Sequence, residues 1–453
     1  MKHFMEPKSV ALIGVSRQTG EYAFNILKNL LDYGYQGRIY PINPNASEIF
    51  GVKTYHGIAE VTENIDLAVI SLPRSLVPSL VKKCAQKGIQ SITIVTQGLA
   101  DASDEKGKQL QKQIEIVKRN KIRILGPNTF GTANAFTNFS SSFVKLRMER
   151  LPIGVICQTG IFLINSPHMK LIGKGIDLGN ACDIDFADSL EYFEQDEQTK
   201  VIALHIEGMR DGRRFLEAAK RFTLKKPLIA MKTGNGDYAA RAAQSHTGSL
   251  IGSDEVWNSA FKQSGVMRVG DTEELGDAVK AFCTLPPVKG RKVGVISFTG
   301  GFGIVAMDAC QKFNLKLPEP SQSTINQLGK ISPSWLRIGN PADIWPGMMI
   351  GRTYMNGLTS SLEAFLADDK IDAVLFIGGA LSHRFSANLC HLCEELAEAH
   401  PYKPFVCYLY GAYYQEAKDR LEKSSKTMVF PSVERAIRTL SHLADYSEFR
   451  SSF

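Results

Sequence analysis

Val10-Ala11-Leu12-Ile13-Gly14-Val15-Ser16-Arg17-Gln18-Thr19-Gly20 is the stretch on which the reading of this chain turns. Four apolar residues end on a glycine, a short polar turn follows, and a second glycine leads into the amphipathic stretch Ala23–Tyr33. A buried strand that turns tightly into a helix opens a βαβ unit. Such a turn is a cradle for phosphate. Glycine lets the backbone come close, and the helix N-terminus offers free N–H groups and the positive end of its dipole. The same rhythm recurs downstream. Apolar runs at Arg38–Ile42, Leu67–Leu72, Ser91–Thr96 and Ile122–Leu125 alternate with helical stretches such as Val77–Lys87, which Gly88 closes. A second series holds Gly154–Cys157, Ile176–Leu178, Val201–Ile206 and Leu228–Lys232; a third holds Lys292–Ser297, Ala373–Ile377 and Pro404–Leu409. Breaks fall at Met148–Pro152 and at Pro286-Pro287-Val288-Lys289-Gly290, a linker by composition. The expectation is α/β throughout: parallel sheets covered on both faces, in domains 1–147, 148–288 and 289–453.

Composition agrees. The 453 residues suit about three domains of ~150 residues each. Hydrophobic residues at 44% and charged residues at 22% exclude disordered and fibrous classes. The net charge of +7 is too thin for a nucleic-acid partner, yet it suits phosphate-rich ligands. No apolar run reaches the ~18 residues of a membrane span. Pro7 and Lys8 precede a short run that stops at Arg17, which is no secretory signal. Eight scattered cysteines suit a reducing compartment, so a cytoplasmic protein without a membrane partner is expected.

Ligands of open α/β sheets sit at the carboxyl ends of strands. In the first domain those ends are the glycine turn, Asn43-Pro44-Asn45, Ser71-Leu72-Pro73-Arg74, Thr96-Gln97-Gly98 and Gly126-Pro127-Asn128-Thr129. The spacing is not G-x-G-x-x-G, and Tyr40-Pro41-Ile42-Asn43-Pro44 carries no acidic residue for a ribose hydroxyl. A nucleotide-containing ligand is expected, and NAD is disfavoured. In the second domain, Leu228–Lys232 leads through Thr233-Gly234-Asn235-Gly236 to Gln244-Ser245-His246-Thr247-Gly248-Ser249-Leu250, and Ser253 then reads as the N-cap of a helix. A histidine set among Ser, Thr and Gly lies among backbone donors instead of core side chains. Gln158-Thr159-Gly160, read as a strand passing into a helix, offers a second anion-binding terminus, and Glu207 stands at another strand end. A carboxylate that holds one ring nitrogen of His246 leaves the other free to attack.

These segments, with Gly179-Asn180, Lys232-Thr233-Gly234, Gly300-Gly301-Phe302-Gly303 and Asn340-Pro341-Ala342-Asp343-Ile344, make the chain resemble the α subunit of ADP-forming acyl-CoA synthetases, in the succinyl-CoA synthetase superfamily. The resemblance runs essentially end to end, and its most specific part is Ser245-His246-Thr247-Gly248. It implies a Rossmann-like CoA-binding domain followed by two flavodoxin-like domains of succinyl-CoA-ligase type. It implies that coenzyme A is held around Gly14, Ser16, Arg17, Gln18, Thr19, Gly20, Asn43, Asn45, Pro73, Gln97, Gly98 and Asn128. Phosphate and acyl substrate are implied at Gln158, Thr159, Gly160, Gly179, Asn180, Ser245, Thr247 and Gly248, with His246 phosphorylated during turnover and Glu207 supporting it. The chain shows no ATP-grasp or Walker A pattern. The resemblance therefore puts ADP, ATP and Mg2+ on an ATP-grasp β subunit or a fused segment, in a hetero-oligomer or about an α–α dimer.

The sequence departs from the family pattern in four places. Cys157-Gln158-Thr159-Gly160 stands for Ser-Gln-Ser-Gly, Asn45 for a lysine after Asn-Pro, and Thr129 for a cysteine; Pro167 falls within the stretch expected as a helix after Gly160. These departures motivate a second reading, a CoA-binding regulatory or scaffold module with reduced or lost catalysis. Other signals are set aside. Cys390-His391-Leu392-Cys393 sits on one helical stretch, which cannot wrap four ligands around a metal, so no metal site is expected. Asp183, Asp185 and Asp188 lack the glycine and terminal glutamate of a calcium loop and read as capping or solvated residues.

Overall fold

The computed structural model describes residues 1–18, 24–117, 122–164, 172–234, 253–351, 354–423 and 426–452. Strands β1 (Ser9–Ile13), β2 (Arg38–Ile42), β3 (Leu67–Ile70), β4 (Ser91–Ile94) and β5 (Arg123–Leu125) form one parallel sheet in the order β2-β1-β3-β4-β5. Every residue of β1 is buried, and its alternate side chains serve two cores. Ala11 and Ile13 face Val77, Val81 and Cys84 of helix Val77–Gln86, whereas Val10 and Leu12 face Ile26, Leu27 and Leu30 of helix Ile26–Tyr33. This period of two, with both faces apolar, is why the strand reads as a continuous hydrophobic run. Gly88 ends its helix as expected, in a left-handed conformation at φ +87°.

The second sheet contains β6 (Thr132–Asn134), β7 (Phe139–Ser140), β8 (Ile153–Cys157), β9 (Lys174–Asp177), β10 (Val201–Ile206), β11 (Leu228–Lys232) and β12 (Met267–Val269). Its order is β12-β11-β10-β8-β9-β6-β7, parallel as far as β9 and antiparallel beyond it. In the third sheet, β13 (Val293–Ser297), β14 (Ala342–Asp343), β15 (Ala373–Gly379), β16 (Phe405–Tyr410) and β17 (Met428–Phe430) run parallel in the order β14-β13-β15-β16-β17. Counted within each sheet, the parallel strands follow one pattern three times, 2-1-3-4-5, the doubly wound order with its reversal between strands 1 and 3.

The contacts divide the chain into two compact units, Met1–Leu275 and Gly276–Phe453. Both domain boundaries read from the sequence differ from this division. Strands β6 and β7 precede the break at 147 and 148 but join the second sheet, and Val10, Leu12 and Val69 share a core with Ile156, Ile176 and Phe186. The division between units falls inside helix Thr272–Thr284, ahead of the proline linker, because Ala281 and Leu285 already pack with Val293 and Val295. The Gly300–Gly303 segment forms the start of helix Gly300–Lys312, capped by the Thr299 hydroxyl on the Gly301 N–H (3.3 Å). Cys390 and Cys393 lie on the buried face of their helix, while His391 is exposed and pairs with Glu395 (3.3 Å).

The first two sheets are joined at their carboxyl edges. Asn180 N donates to Pro127 O (2.9 Å), Cys182 N to Gly126 O (3.0 Å) and Ile184 N to Ile124 O (3.0 Å), so residues 180–184 run beside 124–127. Gly179 makes this possible. Its φ is +51°, and a Cβ there would overlap the carbonyl oxygens of both Pro127 and Asn128. Gly179→Ala is therefore expected to cost roughly 2 kcal/mol or more, from left-handed strain and backbone overlap together. Gly34→Ala, at φ +69° with open space around it, should cost only about 1 kcal/mol. Urea unfolding followed by circular dichroism measures both; equal losses would show that the close approach at Gly179 is not what constrains it.

Candidate functional site

In an open sheet the crevice lies where the strand order reverses, because the connecting helices there leave to opposite faces. In the first sheet that point is between β1 and β3. Gly14 ends β1 at φ +98°, and a Cβ on it would overlap Ser71 O at the end of β3. Asn43 Nδ2 donates to Val15 O (3.0 Å) and its Oδ1 accepts from Asn45 N (2.9 Å), which pins the end of β2 against the glycine turn. A cavity of about 810 Å3 opens here, lined by Gly14, Val15, Asn43, Asn45, Leu72 and Lys87 among others. A second, of about 520 Å3, is lined by Pro73, Gln97, Asn128, Thr129 and Phe143. Ser16, Arg17 and Gln18 lie exposed at the turn, with Gln18 N donating to Ser16 Oγ (3.3 Å). Gly98 lies outside the lining of both cavities. Its N–H goes to Asp101 (2.7 Å) and its carbonyl accepts from Arg74 (2.8 Å), bonds that hold the turn itself. Thr19 and Gly20 lie outside the described residues.

In the second sheet the reversal lies between β8 and β10, and it brings together Gln158, Thr159, Glu207 and Gly208. Gln158 Oε1 accepts from Glu207 N (2.7 Å) and Gly208 N (2.9 Å), tying the two strand ends with one side chain. The Thr159 hydroxyl donates to the Glu207 carboxylate, which is 9% exposed. Beneath it, Lys232 Nζ donates to Glu207 O (3.0 Å) and to Thr233 O, and lies 5.3 Å over the Trp257 ring. His205 lies parallel to Phe162 at 4.0 Å, with Nε2 3.1 Å from Thr233 Oγ1. Burial foremost, and Lys232 next, push this imidazole down to about 4, so it is neutral near pH 7. The segment carrying Ser245, His246, Thr247 and Gly248 lies outside the described residues, as does Pro167. Its described flanks are Gly234 and Ser253. Ser253 caps helix Asp254–Ser264 as expected, its hydroxyl accepting from Val256 N (3.4 Å).

Some of the residues implied as contacts also have structural work. Gly160 does not open a long helix: residues 160–163 make a short 3-10 turn, and a Cβ at Gly160 would strike the Phe130 ring. Asn180 lines a third cavity, of about 300 Å3, beside Gln158 and Gly208, but its Nδ2 donates to Asp101 Oδ1 (2.8 Å). Around that cavity Arg123 is held by Asp183 and Asp188 (both 3.0 Å); Asp185 and Asp188 form the capping box of helix Phe186–Gln195, as read, whereas Asp183, its side chain buried, is an ion-pair partner and caps no described helix.

Asp177, at the end of β9, escaped the sequence reading. It is an ionisable residue closing an apolar strand, and that was its only signal. Its carboxylate accepts from Phe130 N (2.7 Å) and Gly179 N (3.3 Å). Burial outweighs these N–H bonds and raises the carboxyl to about 6. Cys157 Sγ lies 3.8 Å from Asp177 Oδ1, and burial raises its thiol well above the ordinary value, which removes it as a thiolate nucleophile. Because the folded carboxyl holds its proton more tightly than the ordinary 3.8, this group's contribution to stability is full below about pH 4 and is lost as pH rises to about 6. The stability difference between wild type and Asp177→Asn should change across that window and level off on either side. Urea unfolding at a series of pH values would show parallel curves if Asp177 does not titrate there.

The comparisons with known proteins match this geometry. Residues 8–135 match the CoA binding domain family, and residues 151–282 the succinyl-CoA ligase like flavodoxin domain. The chain is 41% identical to the ADP-forming acetate–CoA ligase of Methanocaldococcus jannaschii over 76% of its own length and 49% of that protein's. It is 36% identical to ADP-forming acetate–CoA ligase II of Archaeoglobus fulgidus, covering 56% of it, so the chain spans about half the length of these two relatives. It is also 35% identical to the alpha subunit of ADP-forming acetate–CoA ligase I of Pyrococcus furiosus, over 100% of this chain and 98% of that one. Among solved structures, the dinucleotide-forming acetyl-coenzyme A synthetase 1 of Ca. Korarchaeum cryptofilum, in complex with phosphate and ADP, superposes with a TM-score of 0.88 at 28% identity, covering 99% of this chain and 97% of that one. A resemblance first carried by short glycine, asparagine and histidine motifs thus extends over the whole chain, which belongs to the family of ADP-forming acetate–CoA ligase alpha subunits.

Proposed function

We propose that the chain is the alpha subunit of an NDP-forming acyl-CoA synthetase, an acid–thiol ligase that interconverts acyl-CoA, ADP and phosphate with a carboxylic acid, ATP and CoA. The observation that carries this reading is Glu207, a nearly buried carboxylate at the reversal point of the second sheet, held by the Thr159 hydroxyl, with its backbone clamped by Gln158 and Lys232. A carboxylate fixed in this way can orient a neutral imidazole and stabilise its cationic phosphorylated form. In the proposed sequence, a phosphate oxygen attacks the thioester carbonyl, the C–S bond breaks, and CoA leaves as the acyl phosphate forms. A nitrogen of His246 then attacks phosphorus and the carboxylate leaves. The phosphoryl group passes to ADP on a partner ATP-grasp subunit, where Mg2+ accompanies the nucleotide. The covalent intermediate splits one difficult transfer into two easier ones. CoA is placed at the first sheet's crevice, between Gly14 and helix Val77–Gln86, where the residues present suit a nucleotide: a glycine at the strand end, apolar walls, and lysines without a carboxylate partner among the described residues.

The retained Thr159–Glu207 pair favours catalysis over the scaffold reading, since a binding module has no need of a carboxylate held at this edge. The test is phosphorylation of the full chain by acetyl phosphate, or by ATP with a partner subunit, read by mass spectrometry as an acid-labile, base-stable phosphate. His246→Ala should abolish the label, and Glu207→Gln should slow its formation about 100-fold. Undiminished labelling of His246→Ala would refute the assignment.

A further inference from the structure

The family resemblance expects a lysine after Asn-Pro, and this chain has Asn45 there, a side chain without charge. The cavity that Asn45 borders is nevertheless cationic. Its far wall is one stripe of helix Val77–Gln86 and its caps: Leu76, Leu80, Lys83 and Lys87 follow each other at helical spacing, and all four line the cavity. The stripe is apolar toward the glycine turn and basic at the other end. Among the described lining residues there is no Asp or Glu. Nor does either lysine have a carboxylate partner among the described residues, unlike Lys28, Lys108 and Lys145, which pair with Asp32, Glu105 and Asp32. Two cations left unpaired at the mouth of a nucleotide-sized, acid-free cavity lower the cost of bringing in a phosphate dianion.

We infer that Lys83 and Lys87 receive the ribose 3′-phosphate of CoA, supplying from the helix the charge that position 45 lacks. Leu72, Leu76 and Leu80 then form the wall against which the base stacks, and the glycine turn is left for the diphosphate. The inference rests on the reading of this crevice as the CoA site. It makes this chain's discrimination between CoA and its 3′-dephospho form a property of one helix stripe.

Calorimetric titration of the full chain with CoA and with 3′-dephospho-CoA tests it. Wild type should bind CoA about tenfold or more tightly, and the Lys83→Gln/Lys87→Gln double variant should bind the two nearly alike, chiefly by losing affinity for CoA. Lys82→Gln, next in the chain and outside the cavity lining, should retain the discrimination, and adding Asn45→Lys to the double variant should restore part of it. If the double variant still prefers CoA as wild type does, or wild type binds both ligands equally, the lysine assignment is overturned while the CoA site stands. If wild type binds neither ligand, the reading of the crevice itself fails.

Discussion

The carbonyl oxygens of Pro127 and Asn128 approach Gly179 so closely that only a glycine, at positive φ, fits between two chain segments. The rest of the first unit is arranged around that contact. It sets the carboxyl edge of β5 against that of β9, and residues 180–184 then follow 124–127 as an added pair of backbone segments. Asp177 and Asn180, on either side of the glycine, extend the junction: one takes the Phe130 N–H, the other donates to Asp101. The two sheets therefore stand in a fixed geometry to one another. Here that geometry comes from backbone contacts and a shared apolar core, not from a flexible linker.

Buried ionisable groups gather at the same edge, each doing different work. Lys232 spends its donors on the carbonyls that end β10 and begin the segment after β11; burial holds its ammonium below the usual range. His205 stays neutral against Phe162. Asp177 holds two N–H groups but prefers its proton more than an exposed carboxyl does. Glu207 takes the Thr159 hydroxyl on its carboxylate at the reversal point itself. The side-chain amide of Gln158 explains why Glu207 stands there: one oxygen accepts the N–H groups of Glu207 and Gly208, so the carboxylate's backbone is set by its neighbour across the sheet. In the substitution of threonine for serine at position 159 the hydroxyl is kept, and so is this bond. The cysteine at 157 is buried, its sulfur beside the Ile176 carbonyl and the Asp177 carboxyl, where a thiol can donate and a thiolate is disfavoured.

The parallel strands were legible because both their faces are buried: β1, β2, β10 and β11 match the runs read from the sequence at one or both ends. The short strands β6, β7 and β12 were not, since two or three residues carry no period, and β6 forms along the edge of β9 while β7 forms along β6. The domain boundaries read from composition differ from the division by contacts for a related reason. Composition marks where a chain is irregular, not which sheet or core an element enters; β6 and β7 join the second sheet, and helix Thr272–Thr284 reaches the core that lies beyond the linker. The Gly98 turn illustrates the same limit at the level of a site. A glycine after a strand suits a phosphate cradle, but here Asp101 already occupies its N–H.

What the amino-acid order determined by itself was the kind of layer and the place of the chemistry. Alternating apolar runs and amphipathic helices dictate doubly wound sheets, and such sheets expose their working residues where strands end. Tertiary structure alone decided which of those ends meet. The Thr159–Glu207 pair, the Gln158 clamp, the burial of Asp177 and the acid-free cavity beside Lys83 and Lys87 are all made by residues far apart in sequence, and such meetings follow from strand order and close packing, which no local pattern encodes.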